Sequence, residues 1–311
     1  MTGQKGCEVR MMRKSSTKIK ESTEDLVFHI VVYAILCLLA FICIYPLYFV
    51  LIASFSNPDE VFSGRVIFWI KDFDPIGYER IFSDHMVVRG FLNSVFYTVA
   101  GTLINLAVTL PAAYSLSRKD LIGRRGIMIL FVITMYFSGG MIPTYLIVQK
   151  LGLYNTPYVL LVCSALSVFN MIIARTFFET TLPGEMLEAA KIDGCNNVRF
   201  FFTMALPLSK SMIAVITLYY GVVHWNSYMN ALLYINDANL KPLQLVLREM
   251  LISTKALSVL VQGDAAVEQQ SKMVNSMQYA VIVVATVPML IAFPFVQKYF
   301  VKGVMIGAVK G

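Results

Sequence analysis

Residues 26–55 read LVFHIVVYAILCLLAFICIYPLYFVLIASF, thirty positions without a single Lys, Arg, Asp or Glu. A helix needs about 20 residues to cross a hydrocarbon core of about 30 Å, so this run is long enough to span a membrane. It is too long for the apolar core of a cleavable signal peptide, and no small-residue cleavage site follows it. We therefore expect a transmembrane helix that stays in the mature protein.

Five further apolar segments follow this run. The whole sequence is 57% hydrophobic and 14% charged, whereas charged residues make up about 25% of soluble domains. These features predict an all-α integral membrane protein with six transmembrane helices. The predicted spans are residues 26–55, 91–116, 127–147, 157–178, 212–235 and 277–300.

The distribution of Lys and Arg between the loops predicts the orientation. The side that holds both termini and the second and fourth loops carries 17 of the 26 basic residues. Since cytoplasmic loops carry the excess of Lys and Arg, we expect both termini inside a bacterial cell membrane. The predicted domains are a basic cytoplasmic tail (1–25), a six-span domain (26–303) and a cytoplasmic C-terminal tail (304–311). The net charge of +7 then reflects topology and attraction to anionic lipid, not nucleic-acid binding.

Two loops on the outer side are long enough to carry structure of their own. They comprise residues 56–89 and 236–276. Within the second, residues 245–252 show an apolar helical period, which is consistent with an amphipathic helix on the outer surface.

The cytoplasmic loop between the fourth and fifth spans, residues 181–207, carries the most specific pattern. It begins TLPGEMLEAAKIDG over residues 181–194. Pro183 suits a first helical turn, Glu185 lies near the positive end of the helix dipole, and Gly194 is a natural C-terminal stop. The pattern predicts a short helix, a turn at Gly194 and a second aromatic segment.

Small and acidic side chains occupy the middle of this loop. Ala189 and Ala190 present little bulk, while Glu188 and Asp193 supply negative charge. A rigid element of this kind can seat in the cleft of a basic partner and transmit its motion to the adjoining spans. The residues expected to carry this contact are Glu185, Glu188, Ala189, Ala190, Asp193, Gly194, Leu206 and Pro207.

The spacing within this loop resembles the signature of the binding-protein-dependent ABC importer permeases. That pattern is Glu-Ala-Ala, three residues, Gly, nine residues, then Ile-x-Leu-Pro, and only Met204 departs from it here, at the Ile position. The swap preserves apolar volume. The resemblance extends to the oligosaccharide branch of the carbohydrate-uptake permeases through residues 139–145, 169–170, 224–227 and 299–311. We call residues 181–207 the coupling loop.

The resemblance implies a membrane permease subunit of an ATP-driven importer of oligosaccharides or sugars, not an enzyme. It further implies a second homologous permease, two copies of a cytoplasmic ATPase that hold ATP and Mg, and an extracellular or periplasmic solute-binding protein. The same loop is shared by importers of amino acids or peptides, which leaves that cargo as an alternative. A third hypothesis is that the chain is a membrane-embedded enzyme or an assembly subunit.

The sequence lacks the motifs of an ATPase, of an ion-coupled carrier and of a metal site, which agrees with these implications. No Gly-x4-Gly-Lys-Ser/Thr phosphate loop occurs, so ATP hydrolysis belongs to another polypeptide. The six predicted spans contain no Asp or Glu, which argues against a proton- or sodium-coupled carrier. The five cysteines and three histidines show no metal-ligand spacing, and we expect this chain to bind no metal or cofactor.

Polar and aromatic side chains inside the spans are the candidates to line a passage. Amides and aromatic rings suit sugars, although such residues also form interfacial belts and hold helices together, and His224 could equally be a packing residue. Helical spacing places Tyr219 and Asn226 near one face of the fifth span and Tyr220 and His224 near the next. The candidates are Asn93, Tyr136, Asn170, Tyr219, Tyr220, His224, Trp225, Asn226, Tyr228 and Asn230.

Overall fold

The computed structural model describes residues 23–260, 277–295 and 297, with the backbone alone for residues 253–260. The predicted C-terminal tail, most of the predicted N-terminal tail and the end of the sixth predicted span lie outside the described residues. The chain divides into two compact units, residues 1–49 and 50–311.

The regular elements of the described residues are helices, apart from one antiparallel bridge between Ser56 and Phe73. The all-α prediction is therefore confirmed. A π-helix covers Phe201–Ala205 and a 3-10 helix covers Ala238–Leu240. The α-helices are α1 (Thr23–Ser54), α2 (Pro58–Phe62), α3 (Ile76–Ser83), α4 (His85–Ser117), α5 (Arg124–Tyr136), α6 (Met141–Lys150), α7 (Pro157–Val162), α8 (Val168–Thr181), α9 (Gly184–Ile192), α10 (Asn197–Phe200), α11 (Leu206–Leu208), α12 (Lys210–Trp225), α13 (Met229–Tyr234), α14 (Leu243–Leu260) and α15 (Met277–Phe295).

Three helices of the described residues, α1, α4 and α15, are long and apolar enough to cross a membrane. Two bent pairs raise the number to five if each is one span: α5 with α6, bent by 111°, and Asn197–Leu208 with α12, bent by 83°. The predicted fourth span is divided into α7 and α8 by the non-helical residues 163–167, and neither half is long enough alone. Length and composition of the helices thus give three to five spans, against six predicted.

Within the first unit, α1 exposes large apolar side chains all around its circumference. Phe28, Ile35 and Ile42 are each more than half exposed, and Phe41 stacks on Tyr45 with ring centroids 5.7 Å apart. A helix that is apolar on every side requires an apolar environment, which lipid supplies.

Within the second unit, α4 is the central helix, and α8, α12 and α14 pack against it. The first apolar cluster lies where α4 meets α8, α9 and α12 and includes Tyr114, Phe178 and Ile216. A second cluster joins α4 to α7 and α13, and a third joins α4 to α3, α14 and α15. This packing holds the coupling loop at one end of the second unit.

The start of α14 is buried, which differs from the surface helix that the apolar period suggested. Leu243, Leu245 and Leu247 are at most 3% exposed, and Leu243 and Val246 approach α4 closely at Gly90. The apolar period correctly predicts a helix, but its buried apolar side chains pack into the second and third clusters instead of lying on a membrane surface.

Candidate functional site

Helix α9, the first part of the coupling loop, ends in a hydrogen-bonded cap. The backbone N–H of Gly194 donates to the Lys191 carbonyl (3.0 Å), and the N–H of Cys195 donates to the Ala190 carbonyl (2.9 Å). Gly194 adopts φ +74°, a left-handed conformation that costs glycine little. The two bonds satisfy carbonyls at the helix end and fix the direction in which the chain leaves α9.

The two faces of α9 have different chemistry. Glu185, Glu188, Ala189 and Ile192 are spaced i, i+3, i+4 and i+7, and all four are exposed, Ile192 by 87%. On the opposite face Ala190 is 4% exposed and packs into the cluster of Tyr114 and Phe178, together with the half-buried Met186 and Leu187. One face of α9 is thus bound to the helical core and the other faces outward.

The acidic residues of this outward surface have no partner in the chain as described. Glu185, Glu188 and Asp193 form no ion pair or side-chain hydrogen bond among the described residues, and all three are exposed. The outward face of α9 therefore combines uncompensated negative charge, one small side chain and one exposed apolar side chain.

Aromatic residues attach the second part of the coupling loop to α4. The side chain of Asn196 accepts from the Arg199 N–H (2.8 Å) and so caps α10. Phe200 and Phe201 are buried, and their ring centroids lie 6.4 and 5.1 Å from that of Tyr114. Leu206 is half-buried in the same cluster, whereas Pro207 is exposed at the start of α11.

An ionic network fastens the α4–α5 connection to both parts of the coupling loop. Arg118 Nε lies 2.8 Å from Asp120 Oδ1, and Arg118 Nη1 donates to Asn197 Oδ1 (3.2 Å). Lys191 Nζ lies 3.6 Å from Asp120 Oδ2. The hydrogen bond from Arg118 lowers the pKa of Asp120 to about 2. The spacing of residues within a single loop could not predict this network, because its members come from three separate segments of the chain.

A cavity of about 1300 Å³ opens between α8, α12, α14 and α15. Five of the ten residues predicted for a passage line it: Asn170, Tyr219, Tyr220, Asn226 and Tyr228. The other polar or charged residues on its wall were not predicted, and they are Ser164, Ser167, Gln244, Arg248 and Thr286.

The other predicted residues lie outside this cavity. Asn93 donates to the backbone carbonyls of Asn239 (2.8 Å) and Lys241 (3.0 Å), and so holds the segment before α14 on α4. Trp225 is buried and donates its indole N–H to the Ala285 carbonyl (2.9 Å). Tyr136 is 76% exposed at the end of α5, and Asn230 is half-buried on α13.

His224 is packed between α12 and α4. It is 3% exposed, and its Nε2 lies 2.6 Å from Asn105 Oδ1 on α4. Gly101 leaves the space for the imidazole, because a Cβ at this position would lie 2.5 Å from ring atoms of His224. The polar Asn105 in the predicted second span was the available sequence signal for this contact.

The same two helices bind the break between α7 and α8. Asn105 donates its side-chain amide to the Ser164 carbonyl, and the Tyr220 hydroxyl accepts from the Ser167 N–H (3.1 Å). Tyr220 also hydrogen-bonds Thr109 (2.7 Å). A helix break at membrane depth needs such partners for its freed backbone groups. Since Ser164 and Ser167 also line the cavity, the break forms part of its wall.

Comparison with known proteins identifies the family. Residues 87–306 match the family described as "Binding-protein-dependent transport system inner membrane component", which covers more than half of the chain. The chain belongs to this family. As a member of the binding-protein-dependent ABC permeases it is a membrane-embedded transport subunit and not an enzyme, as the resemblance implied. Importers of this family work with an ATPase and a solute-binding protein.

Several bacterial transport proteins are similar to this chain over most of its length. The polygalacturonan/rhamnogalacturonan transport system permease protein YtcP of Bacillus subtilis (strain 168) is 43% identical over 91% of this chain and 98% of its own length. Protein LplC of the same organism is 41% identical, over 87% and 90%. A crystal structure of a bacterial ABC transporter involved in the import of the acidic polysaccharide alginate has a TM-score of 0.81 at 31% identity, covering 90% of this chain and 99% of that one.

Proposed function

We propose that this chain is the permease subunit through which an ATP-driven importer moves acidic oligosaccharides across the bacterial cell membrane. The observation that carries this cargo is the likeness to a polygalacturonan/rhamnogalacturonan permease and to an alginate importer. Polygalacturonan and alginate are both polymers of uronic acids, whose rings carry carboxylates. Their shared chemistry is therefore an anionic sugar chain.

The proposed topology has six spans with both termini in the cytoplasm. The three long helices and the two bent pairs supply five spans, and α7 with α8 supplies a sixth across the break at residues 163–167. The excess of Lys and Arg on the side of the second and fourth loops supports this orientation.

The coupling loop is the proposed docking site for the ATPase. The outward face of α9 carries Glu185, Glu188 and Ala189, and its opposite face is fixed to α4, α8 and α12 through Ala190. A basic cleft would pair with the acids, and Ile192 would be covered on contact. Because the inner face is anchored in the core, displacement of α9 displaces those three helices with it.

The cavity is proposed as one wall of the passage. A second homologous permease would supply the facing wall, and each permease would present one coupling loop to one of two ATPase copies. ATP and Mg would be bound by the ATPase and neither by this chain. An external solute-binding protein would deliver the oligosaccharide.

Uptake of trigalacturonate tests this proposal. Deletion of the chain in its host should abolish uptake of radiolabelled trigalacturonate, leave uptake of glucose unchanged, and be reversed by a plasmid copy. The tagged chain should also co-purify with a second permease and an ATPase in a 1:1:2 ratio. Uptake of trigalacturonate at the wild-type rate in the deletion strain would refute the cargo, and another ratio would refute the assembly.

A further inference from the structure

Arg248 places a positive charge on the wall of the cavity. It lies on α14, and its guanidinium carbon is 5.6 Å from the ring centroid of Tyr228, which also lines the cavity. Among the described residues that line the cavity, Arg248 is the only one with a charged side chain. Sequence patterns could not predict this placement, because α14 belongs to a loop predicted to lie outside the membrane.

The charge of Arg248 is not neutralised by the described part of the chain. It forms no ion pair there, and no lining residue of the cavity is acidic. The adjacent acid, Glu249, is bound to Lys241 at 2.7 Å. The cavity wall around Arg248 is largely apolar, with Leu247 and Leu251 next to it. A charge in such surroundings is costly unless it is paired, so the site favours an anion.

The geometry around Arg248 suits a carboxylate on a sugar ring. A guanidinium binds a carboxylate through two parallel hydrogen bonds, and this pairing is stronger where water is partly excluded. Tyr219 and Tyr228 are 41% and 40% exposed and offer flat apolar faces to a sugar ring. Asn170 and Asn226 line the same cavity; the Asn226 amide nitrogen donates one N–H to the Val222 carbonyl (3.0 Å), which leaves its other N–H and its oxygen for hydroxyl groups.

We propose that Arg248 binds the carboxylate of a uronate unit of the passing oligosaccharide, with Tyr228 packed against the guanidinium. This inference rests on the acidic cargo proposed above and assigns its recognition within the membrane to a named residue. Arg248 then discriminates acidic from neutral saccharides independently of the solute-binding protein.

The test is equilibrium binding to the purified complex of both permeases and the ATPase in lipid nanodiscs, without the solute-binding protein. The probes are trigalacturonate and its neutral trimethyl ester. Arg248→Gln should weaken binding of trigalacturonate about tenfold or more and change binding of the ester less than twofold, because a charge-assisted hydrogen bond is lost only with the acid. Arg248→Lys should retain part of the affinity, since it keeps the charge but loses the planar fork.

Arg80→Gln is the matched control, because it removes the same charge from the exposed surface of α3, outside the cavity. It should bind both probes as the wild type does. Equal weakening of both probes by Arg248→Gln would show a structural role and overturn the proposal, as would unchanged binding of trigalacturonate.

Uptake by cells separates this inference from the proposed function. Wild-type cells that import trigalacturonate while Arg248→Gln complexes bind it normally would retain the proposed cargo and overturn the role of Arg248. Wild-type cells that import no trigalacturonate would overturn both.

Discussion

The coupling loop and the cavity wall use polar side chains in opposite ways. On α9 the acids Glu185 and Glu188 point outward without partners, while the other face of the helix is packed into the core. On α12 the Tyr220 hydroxyl and the His224 imidazole hydrogen-bond side chains of α4, whereas the Tyr219 hydroxyl faces the cavity with no hydrogen bond among the described residues. Polar groups that are paired within the described residues hold the helices together, and we expect those left unpaired there to meet a partner or cargo.

The largest effect is expected when an acidic side chain on the outward face of α9 is replaced by a basic one. Glu188→Arg should reduce uptake of trigalacturonate at least tenfold and reduce co-purification of the ATPase, because a basic cleft would repel the new charge. Membrane insertion should be unchanged, since the exposed Glu188 side chain forms no ion pair or hydrogen bond among the described residues. Glu79→Arg, on the exposed surface of α3, is the matched control and should insert and retain the ATPase as the wild type does. Uptake at the wild-type rate by Glu188→Arg would refute the coupling role.

The contact between α4 and α12 is tested by filling the space that holds His224. Gly101→Ala should lower the melting temperature of the purified complex by about 5 °C, since overpacking costs about 1–3 kcal/mol and each kcal/mol shifts the midpoint by about 2–4 °C. Gly126→Ala is the control in α5, where a new Cβ would meet nothing within 4 Å. It should leave the melting temperature unchanged or slightly higher. Equal melting temperatures for the two variants would show that the close approach of His224 does not limit the size of the side chain at position 101.

Removal of one hydroxyl group from α12 tests the difference between Tyr220 and Tyr219. Tyr220→Phe should lower the melting temperature by about 3 °C, because Thr109 and the Ser167 N–H lose their partner and an unsatisfied buried group costs about 1–3 kcal/mol. Tyr219→Phe removes the same atom from a side chain that is 41% exposed in the cavity and should not change stability. The contrary result, with Tyr219→Phe the less stable variant, would reverse the assignment of the two tyrosines.

The smallest effect is expected at Asp120. Its pKa of about 2, below the ordinary 3.8, means that its ion pair with Arg118 stabilises the fold above pH 4 and is lost as the pH falls towards 2. The difference in melting temperature between the wild type and Asp120→Asn should therefore be about 1–2 °C and equal at pH 5 and pH 8. It should shrink in 1 M NaCl, which screens exposed charges. A difference that changes between pH 5 and pH 8 would show that the pair titrates there.

The two regions also differ in what sequence could predict. The cap at Gly194 and the outward acids of α9 depend on residues within a few positions of each other, so local spacing was sufficient to expect a short helix and a turn. The cavity depends on contacts between distant segments. Helical spacing places Tyr219 and Tyr220 near neighbouring faces of α12, but which face packs on α4 is decided by residues such as Gly101 and Asn105.

The helix count shows a second limit of local patterns. The apolar run at residues 157–178 predicts one continuous span, but residues 163–167 are not helical, because Asn105 and Tyr220 supply alternative partners for the backbone. Likewise, the apolar period at residues 245–252 predicts a helix but not the helix against which it packs. Arg248 therefore could not be assigned to the cavity before the fold was known.

The seating of His224 against Gly101 has a consequence for motion. An imidazole held by a backbone niche on one side and by Asn105 on the other prevents α4 and α12 from sliding along each other or rotating independently. We therefore expect α4 and α12 to move as one body that carries the coupling loop through the first apolar cluster. The backbone can then change direction at the non-helical residues 163–167 and at the bends beside α6 and α12, and we expect a displacement of α9 to alter the width of the cavity mainly at these points.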